Sequence, residues 1–337
     1  MSYKKVILNE FGRPEVLQIV EEANLPEPGA GEVRVKVLAA SATFTDTMVR
    51  KGVYYGLKET PPFPPGYDMV GVVDKVGAGV TGLEVDEMVA DLTVWGAYAE
   101  YILRPADALV PVPVGLDPAE EVSMVLSYVT AYQMLHRIAK VKRGQKILVH
   151  GAGGAVGTAL LELGRLLDLE MYGTASKSKH ELVKSLGGTP IDYKSEDFVA
   201  RVQALGGVDA AFDAIGGDNF KRSFKSLNKG GTLVAYGFYN NAMGNGGNVP
   251  IEYMRVALSN ILPNGRKAVF YSIGDLRKKN PEWFKEDLGA LFGLLKDGKI
   301  KPSIERRMKL EGAAQAHELI EQAAVKGRIV LMVNEEE

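Results

Sequence analysis

The spacing of hydrophobic and polar residues differs between the two ends of the chain. Residues 32–37 alternate polar and apolar side chains, which is the period of a half-buried strand. Residues 70–76 and 97–103 are also predicted strands. Turn-forming glycines and prolines at 26–29 and 77–79 separate these segments. Many short strands with such turns between them predict a barrel-like β domain for about the first 120 residues.

The period changes near residue 120. Residues 118–140 have the pattern of a helix that begins with proline and acidic residues. Strands are then predicted at 146–150, 170–174, 189–193, 208–213 and 232–236, with helices at 155–167, 178–186, 195–205 and 218–227. Repeated βα units predict a parallel sheet with helices on its faces. A last helix at 313–325 and a strand at 328–333 are predicted at the end of the chain.

Composition narrows the class of protein. A length of 337 residues suggests about two domains. The net charge is -2 without a long run of one sign, so a basic nucleic-acid-binding face is not expected, and nothing favours a charged membrane surface. The first residues lack the apolar run of a signal peptide, and we find no run of about 18 apolar residues that a spanning helix needs. We therefore expect a cytoplasmic protein.

The residues that usually bind transition metals are scarce. The chain has no cysteine, which excludes disulfides and thiolate metal sites. Its histidines, His136, His150, His180 and His317, do not have the spacing of a zinc pair on one helix. We predict no metal site.

The strongest local pattern is a glycine-rich turn between a predicted strand and a predicted helix. Residues 152–157 read Ala152-x-Gly154-x-x-Gly157, with alanine at the first glycine position of the dinucleotide fingerprint. Gly154 would let a pyrophosphate approach the backbone, and Gly157 would let the helix pack on the strand. With Ala155 and Val156 they form the helix start that would face the phosphates. The alternative is a purely structural glycine turn.

The end of the second βα strand indicates which nucleotide binds. An NAD site usually has a carboxylate there for the ribose 2′-hydroxyl, whereas residues 173–179 have none and contain two lysines. A 2′-phosphate needs a cation and hydroxyl donors. We predict NADP(H) as the cofactor, with Ser176 and Lys179 at its 2′-phosphate; the alternative is a solvated helix start.

With these features, the chain resembles the medium-chain dehydrogenase/reductase superfamily. It is most similar to the zinc-independent quinone oxidoreductases and the vesicle-amine-transport-protein-like group. The resemblance covers essentially the whole chain and rests on FTDTMVRKG at 44–52, PPGYDMVGVV at 64–73, SYVTAY at 127–132, VHGAGGAVG at 149–157, PIDY at 190–193 and DAIGG at 213–217. It implies an α/β protein: a GroES-like catalytic domain at 1–122, completed by 265–337, and a doubly wound Rossmann domain at 123–264.

The resemblance also implies cofactor contacts. Tyr193 matches a residue beside the 2′-phosphate, although it could be an ordinary strand tyrosine. Thr130 matches a position near the nicotinamide, and Gly237 and Phe238 match the segment that passes over the cofactor. Ile215 and Phe270 complete the predicted cofactor-binding set. The asparagine- and glycine-rich residues 238–248 are either a lid or a connecting loop.

Departures from zinc-dependent relatives point to the chemistry. Those relatives have cysteine near the position of Thr43 and histidine at that of Tyr67, and they carry a four-cysteine zinc lobe that is missing here. Without a Lewis acid, the substrate should already be electron-poor, such as a quinone or an enone. Three functions stay open: an NADPH:quinone or enone reductase, an alkenal/enoyl reductase, and a nucleotide-binding protein with little turnover.

Candidate catalytic residues follow from the same resemblance. Tyr54 lies where related enzymes carry an active-site tyrosine, with an ambiguity of one position towards Tyr55. Thr43 belongs to the polar lining, and Tyr128 is either a proton donor or a residue of the helix core. Asp46 is more readily explained by local hydrogen bonds than by acid–base chemistry. The family further implies a homodimer formed by edge-to-edge pairing of nucleotide domains.

Overall fold

The chain divides into two compact units in a computed structural model that describes residues 1–245, 248–261 and 264–334. One unit comprises Met1–Leu126 with Leu288–Glu337, and the other comprises Ser127–Asp287. The resemblance implies boundaries at 122 and 265. Residues 265–287 stay with the second unit in the structure because residues 267–270 add a strand to its sheet.

Strands alternate with helices through most of the chain. The strands are β1 (Tyr3–Leu8), β2 (Leu17–Glu22), β3 (Glu32–Ala42), β4 (Met69–Val76), β5 (Met88–Asp91), β6 (Tyr101–Pro105), β7 (Val110–Pro111), β8 (Lys146–His150), β9 (Glu170–Ala175), β10 (Gly188–Asp192), β11 (Val208–Asp213), β12 (Leu227–Ala235), β13 (Lys267–Phe270), β14 (Ile304–Lys309) and β15 (Arg328–Met332). The α-helices are α1 (Phe44–Arg50), α2 (Pro118–Ser123), α3 (Val129–Tyr132), α4 (Ala155–Leu166), α5 (His180–Ser185), α6 (Phe198–Ala204), α7 (Asp218–Lys225), α8 (Tyr239–Ala242), α9 (Val249–Ser259), α10 (Ile273–Lys279), α11 (Pro281–Lys296) and α12 (Ala313–Glu321).

The first unit is built on a mostly antiparallel sheet. Its strands lie in the order β14-β15-β3-β4-β5-β7, with β6 also paired to β3, and β1 and β2 form a separate antiparallel pair. Only β14 and β15 run parallel among these described pairings. Val33, Val35 and Val37 of β3 are fully buried, as the alternating pattern predicted. The predicted β-rich domain is confirmed.

The second unit contains a parallel sheet in the order β10-β9-β8-β11-β12-β13. Numbered within the unit, this order is 3-2-1-4-5-6, the Rossmann arrangement. The strand order reverses between β8 and β11, where Leu148 pairs with Ala211. Ligands of such sheets bind beyond the carboxyl ends of the strands at this reversal. The predicted doubly wound fold is confirmed.

The predicted helix at 118–140 is not one regular α-helix. Asp117 caps α2 by accepting a hydrogen bond from the Ala119 amide at 3.0 Å. After α2, residues Met124–Tyr128 and Gln133–Ile138 are π-helical, on either side of α3. In the described part of the chain, no helix is both long and apolar enough to cross a bilayer.

Candidate active site

The glycine-rich turn after β8 has the geometry of a phosphate-binding turn. Gly151 takes the left-handed backbone, with φ 66°, so the following Ala152 does not need to be glycine. Gly157 does, because a Cβ there would lie 2.3 Å from the Gly151 carbonyl oxygen. A Cβ on Gly154 would meet only that same oxygen, at 3.3 Å. The backbone at Gly154 is therefore open to a close approach.

Ala152 is fixed by its neighbours on β9. Its amide donates to the Thr174 carbonyl oxygen at 3.0 Å, and a Cβ on Gly173 would lie 2.6 Å from the Ala152 methyl group. The helix that follows begins with Gly154 as its N-cap, which has no side chain to offer the first-turn amides. A helix start of this kind is suited to an anion.

The residues predicted for the 2′-phosphate surround the end of β9. The aliphatic part of Lys179 lies across the turn, since a Cβ on Gly153 would be 2.7 Å from its Cδ. The hydroxyl oxygens of Ser176 and Ser178 lie 3.1 Å apart and share a hydrogen bond. Tyr193 lies just after β10 and is 55% exposed. The fold thus brings Lys179 to the glycine turn, and Ser176 lies directly after β9.

A buried hydrogen-bond chain, which sequence reasoning missed, links the ends of β9, β8 and β11. Ser223 donates to the Asp213 carboxylate at 2.5 Å, so its oxygen must accept from His150 Nε2, 2.9 Å away. The other ring nitrogen, Nδ1, then accepts from the Thr174 hydroxyl at 2.9 Å. Burial lowers the pKa of His150, which agrees with this neutral form.

Asp213 connects this hydrogen-bond chain to the turn that contains Ile215. Its other oxygen accepts from the Ile215 amide at 2.8 Å, and Asn219 donates to the first oxygen at 2.8 Å. Gly217 continues the turn with φ 63° and donates its amide to the buried Glu252 at 2.7 Å. Ile215 is thus held in a fixed turn at the carboxyl end of β11.

The predicted residues Phe238 and Phe270 meet in an aromatic cluster. Their rings stack with centroids 5.6 Å apart, and Phe220 and Tyr253 pack against both of them. Gly237 precedes this cluster, and a Cβ there would lie 3.0 Å from the Ala214 carbonyl oxygen. Gly246 and Gly247 of the predicted lid or connecting loop lie outside the described residues.

Thr130 and Tyr128 lie on and beside α3 and are buried. The Tyr128 hydroxyl bonds to the carboxylate of Glu162 on α4, and its ring is fully buried. This position favours the packing interpretation of Tyr128 over a role as proton donor. Thr130 interacts with Tyr271, whose hydroxyl donates to Gln133 Oε1 at 2.8 Å and whose pKa is raised by burial.

In the first unit, Thr43 and Asp46 form a closed hydrogen-bonded pair at the start of α1. The Thr43 amide and hydroxyl both donate to one Asp46 oxygen, at 2.9 Å and 2.6 Å, and the Asp46 amide donates back to the hydroxyl. This is a capping box. Burial raises the pKa of Asp46 to about 7, against the lowering effect of Thr43. The local structural role that the sequence favoured for Asp46 agrees with this geometry.

Two tyrosine hydroxyls also meet in the first unit. Tyr54 Oη lies 2.8 Å from Tyr67 Oη, and the rings pack edge to face with centroids 6.0 Å apart. Tyr55, the alternative to Tyr54, is 65% exposed. The geometry therefore favours Tyr54 at the ambiguous position. The local sequence does not predict the contact between Tyr54 and Tyr67.

Among residues 1–245, 248–261 and 264–334, no cluster of three or more histidine, cysteine, aspartate or glutamate side chains could hold a metal ion.

Known proteins with the same architecture identify the family. Residues 29–114 match the alcohol dehydrogenase GroES-like domain, and residues 186–331 match a zinc-binding dehydrogenase domain. Quinone oxidoreductase of Mus musculus is 30% identical over 96% of this chain and 96% of its own length. The chain belongs to the quinone oxidoreductase and VAT-1-like group of the medium-chain dehydrogenase/reductase superfamily.

Solved structures agree with this membership. A quinone oxidoreductase of Escherichia coli, crystallised in complex with NADPH, has a TM-score of 0.86 and 26% identity over 98% of this chain and 99% of that one. The human synaptic vesicle membrane protein VAT-1 homolog-like protein has a TM-score of 0.82 and 28% identity over the whole of both chains. The protein is thus a quinone oxidoreductase-like enzyme, and the predicted family is confirmed.

Proposed function

We propose that this quinone oxidoreductase-like enzyme uses NADPH, without zinc, to reduce a quinone or another activated carbonyl or enone. The single observation that carries the proposal is the glycine turn at the reversal of the parallel sheet, with Lys179 lying across it. A relative of the same fold was crystallised with NADPH. The residues that decide between NADPH and NADH are the ones around β9.

The chain's own residues fit such a nucleotide. Gly154 leaves room for a pyrophosphate, and the start of α4 is suited to its charge. Lys179 and Ser176 supply a cation and a hydroxyl where the 2′-phosphate of the adenosine would lie, next to the exposed Tyr193. Ile215, Gly237, Phe238 and Phe270 would hold the remainder of the nucleotide, with Thr130 near the nicotinamide.

Bound NADPH supplies a hydride from C4 of its nicotinamide. The acceptor would take that hydride, and an electron pair from the acceptor's own π bond would move onto its carbonyl oxygen. We assign Tyr54 as the group that donates a proton to this oxygen, since its hydroxyl is held at 2.8 Å by a second hydroxyl. Thr43 is the second candidate in the first unit, and its hydroxyl donates to Asp46 at 2.6 Å. The acceptor thus gains one hydride and one proton.

A substrate panel tests this function. Purified protein should oxidise NADPH when 1,4-naphthoquinone or an enone is added, and a chelator should leave the rate unchanged. Oxidation of NADPH by alkenals alone would instead assign an alkenal/enoyl reductase. Calorimetric binding of NADPH with no turnover on the whole panel would assign a nucleotide-binding protein. Absence of NADPH binding would refute all three.

A homodimer is the second part of the proposal. Ile251, Met254, Leu258 and Ile261 follow the 3-4-3 spacing of one helix face along and just beyond α9, and each is between 43% and 74% exposed. β13, an edge strand of the parallel sheet, packs beside α9. An apolar face next to a sheet edge is complementary to a second copy of itself under twofold symmetry.

Light scattering after size exclusion tests the dimer. Wild-type protein should have twice the mass of one chain, and the double change Met254→Glu and Leu258→Glu should give monomers. Val114→Glu, at another exposed apolar side chain in the first unit, is the control and should stay dimeric. A monomeric wild-type protein would overturn this part of the proposal.

A further inference from the structure

Thr174, near the end of β9, makes two hydrogen bonds that lead to different parts of the predicted nucleotide site. Its carbonyl oxygen accepts from the Ala152 amide at 3.0 Å, which ties β9 to the glycine turn. Its hydroxyl lies 2.9 Å from Nδ1 of His150, the residue paired with it on β8. Thr174 is buried, and Ser176 follows it by two positions. The segment after β9 is therefore anchored through Thr174.

The direction of each hydrogen bond from Thr174 to β11 is fixed. The Asp213 carboxylate accepts the Ser223 proton, so the Ser223 oxygen must accept from His150 Nε2. Buried His150 is neutral, and Nδ1 is then the acceptor for the Thr174 hydroxyl. The imidazole also packs edge to face on Phe198, with centroids 4.7 Å apart. Both ring nitrogens of His150 are thus engaged, and its ring plane is held.

The two ends of this hydrogen-bond chain serve different parts of a nucleotide. Ser176 and Lys179, after β9, are the residues proposed for the 2′-phosphate, a group that NADPH carries and NADH lacks. Ile215, whose amide donates to Asp213 at 2.8 Å, lies in the turn proposed for a part that both nucleotides share. A change at one end should therefore affect the two nucleotides differently from a change at the other.

We propose that His150 is a positioning residue for the cofactor and that Thr174, through its hydrogen bond to His150, sets the preference for NADPH over NADH. This inference rests on the proposed function. All members of the hydrogen-bond chain belong to the second unit. By accepting from Thr174 and donating to Ser223, the imidazole keeps the segment after β9 and the turn after β11 in register with the glycine turn.

Calorimetric dissociation constants for NADPH and NADH test the inference. Thr174→Val keeps the shape of the side chain but removes the donor to His150 Nδ1. It should weaken NADPH binding by about 10-fold and leave NADH binding unchanged, so that the preference falls by the same factor. Ser223→Ala should weaken the binding of both nucleotides by about 10-fold and keep the preference. A wild-type preference in Thr174→Val would overturn the proposal.

A variant at the other end of β11 separates positioning from loss of stability. Val208 is fully buried at the first position of β11, at the opposite end of the strand from Asp213. Val208→Ala should lower the melting temperature about as much as Thr174→Val does, without changing the dissociation constant of either nucleotide. A preference that falls equally in both variants would contradict a specific role for Thr174.

Two substitutions of His150 itself distinguish the two ends of the ring. In His150→Asn, the side-chain oxygen takes the place of Nδ1 and can still accept from Thr174, while the donor to Ser223 is lost. This variant should behave as Ser223→Ala does, with both nucleotides weakened and the preference kept. His150→Leu removes both groups and should lose the preference as well. Loss of the preference in His150→Asn would contradict the proposed role of Nδ1.

A second measurement needs no nucleotide. Long-range 1H–15N spectra, with the His150 signals assigned by their loss in His150→Asn, should show a proton on Nε2 and none on Nδ1 at neutral pH. A proton on Nδ1 would refute the inference even if the protein binds NADPH. A protein that binds neither nucleotide would refute the proposed function, whereas an NADPH preference that is equal in all variants would refute only this inference.

Discussion

The substitution Ser223→Ala removes the middle of the hydrogen-bond chain that joins His150 to Asp213. Ser223 is fully buried and makes two of the chain's contacts, to His150 Nε2 at 2.9 Å and to Asp213 Oδ2 at 2.5 Å. Alanine fits the same space and offers neither a donor nor an acceptor. His150 Nε2–H would then lose its acceptor, while Asp213 Oδ2 would keep the Asn219 donor.

The magnitude follows from those two losses. A buried donor left without its partner costs about 1–3 kcal/mol, and loss of a hydrogen bond to a carboxylate costs a similar amount. We expect a total of about 3 kcal/mol. In a unit of this size, each kcal/mol lowers the melting temperature by about 2–4 °C, so the fall should be on the order of 10 °C.

A neighbouring serine provides the control. Ser226 is also fully buried, but its hydroxyl only adds to a helix hydrogen bond at the Arg222 carbonyl oxygen, which the Ser226 amide reaches as well. Ser226→Ala should cost less than 1 kcal/mol. Circular dichroism gives the melting temperatures, and hydrogen exchange should be faster at the Ile215 amide in Ser223→Ala alone. Equal melting temperatures for the two variants would refute the proposed hydrogen bonds of Ser223 to His150 and Asp213.

Three further outcomes can be checked. Lys179→Ala should weaken NADPH binding by about 10-fold or more and leave NADH binding unchanged in calorimetry, whereas Lys177→Ala should leave the binding of both nucleotides unchanged; an unchanged preference for NADPH in Lys179→Ala would contradict the cofactor assignment. Gly157→Ala should abolish nucleotide binding, because its Cβ would lie 2.3 Å from the Gly151 carbonyl oxygen, while the matched Gly289→Ala, in open space on α11, should stabilise the fold slightly. Burial raises the pKa of Glu121 from 4.5 in an unfolded chain to about 8. The stability contributed by its protonated form is therefore complete below pH 4.5 and is lost as the pH rises towards 8, by up to about 1.4 kcal/mol per pH unit. Glu121→Gln should remove that loss, which urea unfolding at pH 5 and pH 8 would measure.

The sequence predicts the central strands because their signal is local. β8 and β11 have the predicted bounds, since an apolar run between turn residues defines each of them. β13 has only four residues, and Lys267–Phe270 contains no alternation long enough to indicate a strand. The long helix α11 was also missed. Short edge strands depend on their neighbour in the sheet rather than on their own pattern.

Contacts between distant residues could not be predicted in the same way. His150 and Ser223 are 73 positions apart, and Tyr54 and Tyr67 meet only after a loop returns to the sheet. A serine on a polar helix such as α7 has no periodicity that distinguishes a network member from a solvated residue. The missing carboxylate after β9 pointed to Lys179 and the resemblance to a family supplied the position of Tyr54, but the contact between Tyr54 and Tyr67 comes from the packing of this chain.

The alanine in the nucleotide turn has a consequence for the neighbouring strand. Because Gly151 takes the left-handed backbone, position 152 does not need glycine, and Ala152 adds a methyl group there. That methyl fills the volume which a side chain at Gly173 would otherwise occupy. The two positions therefore share one methyl-sized space, and a homologue with a side chain at position 173 should have glycine at position 152.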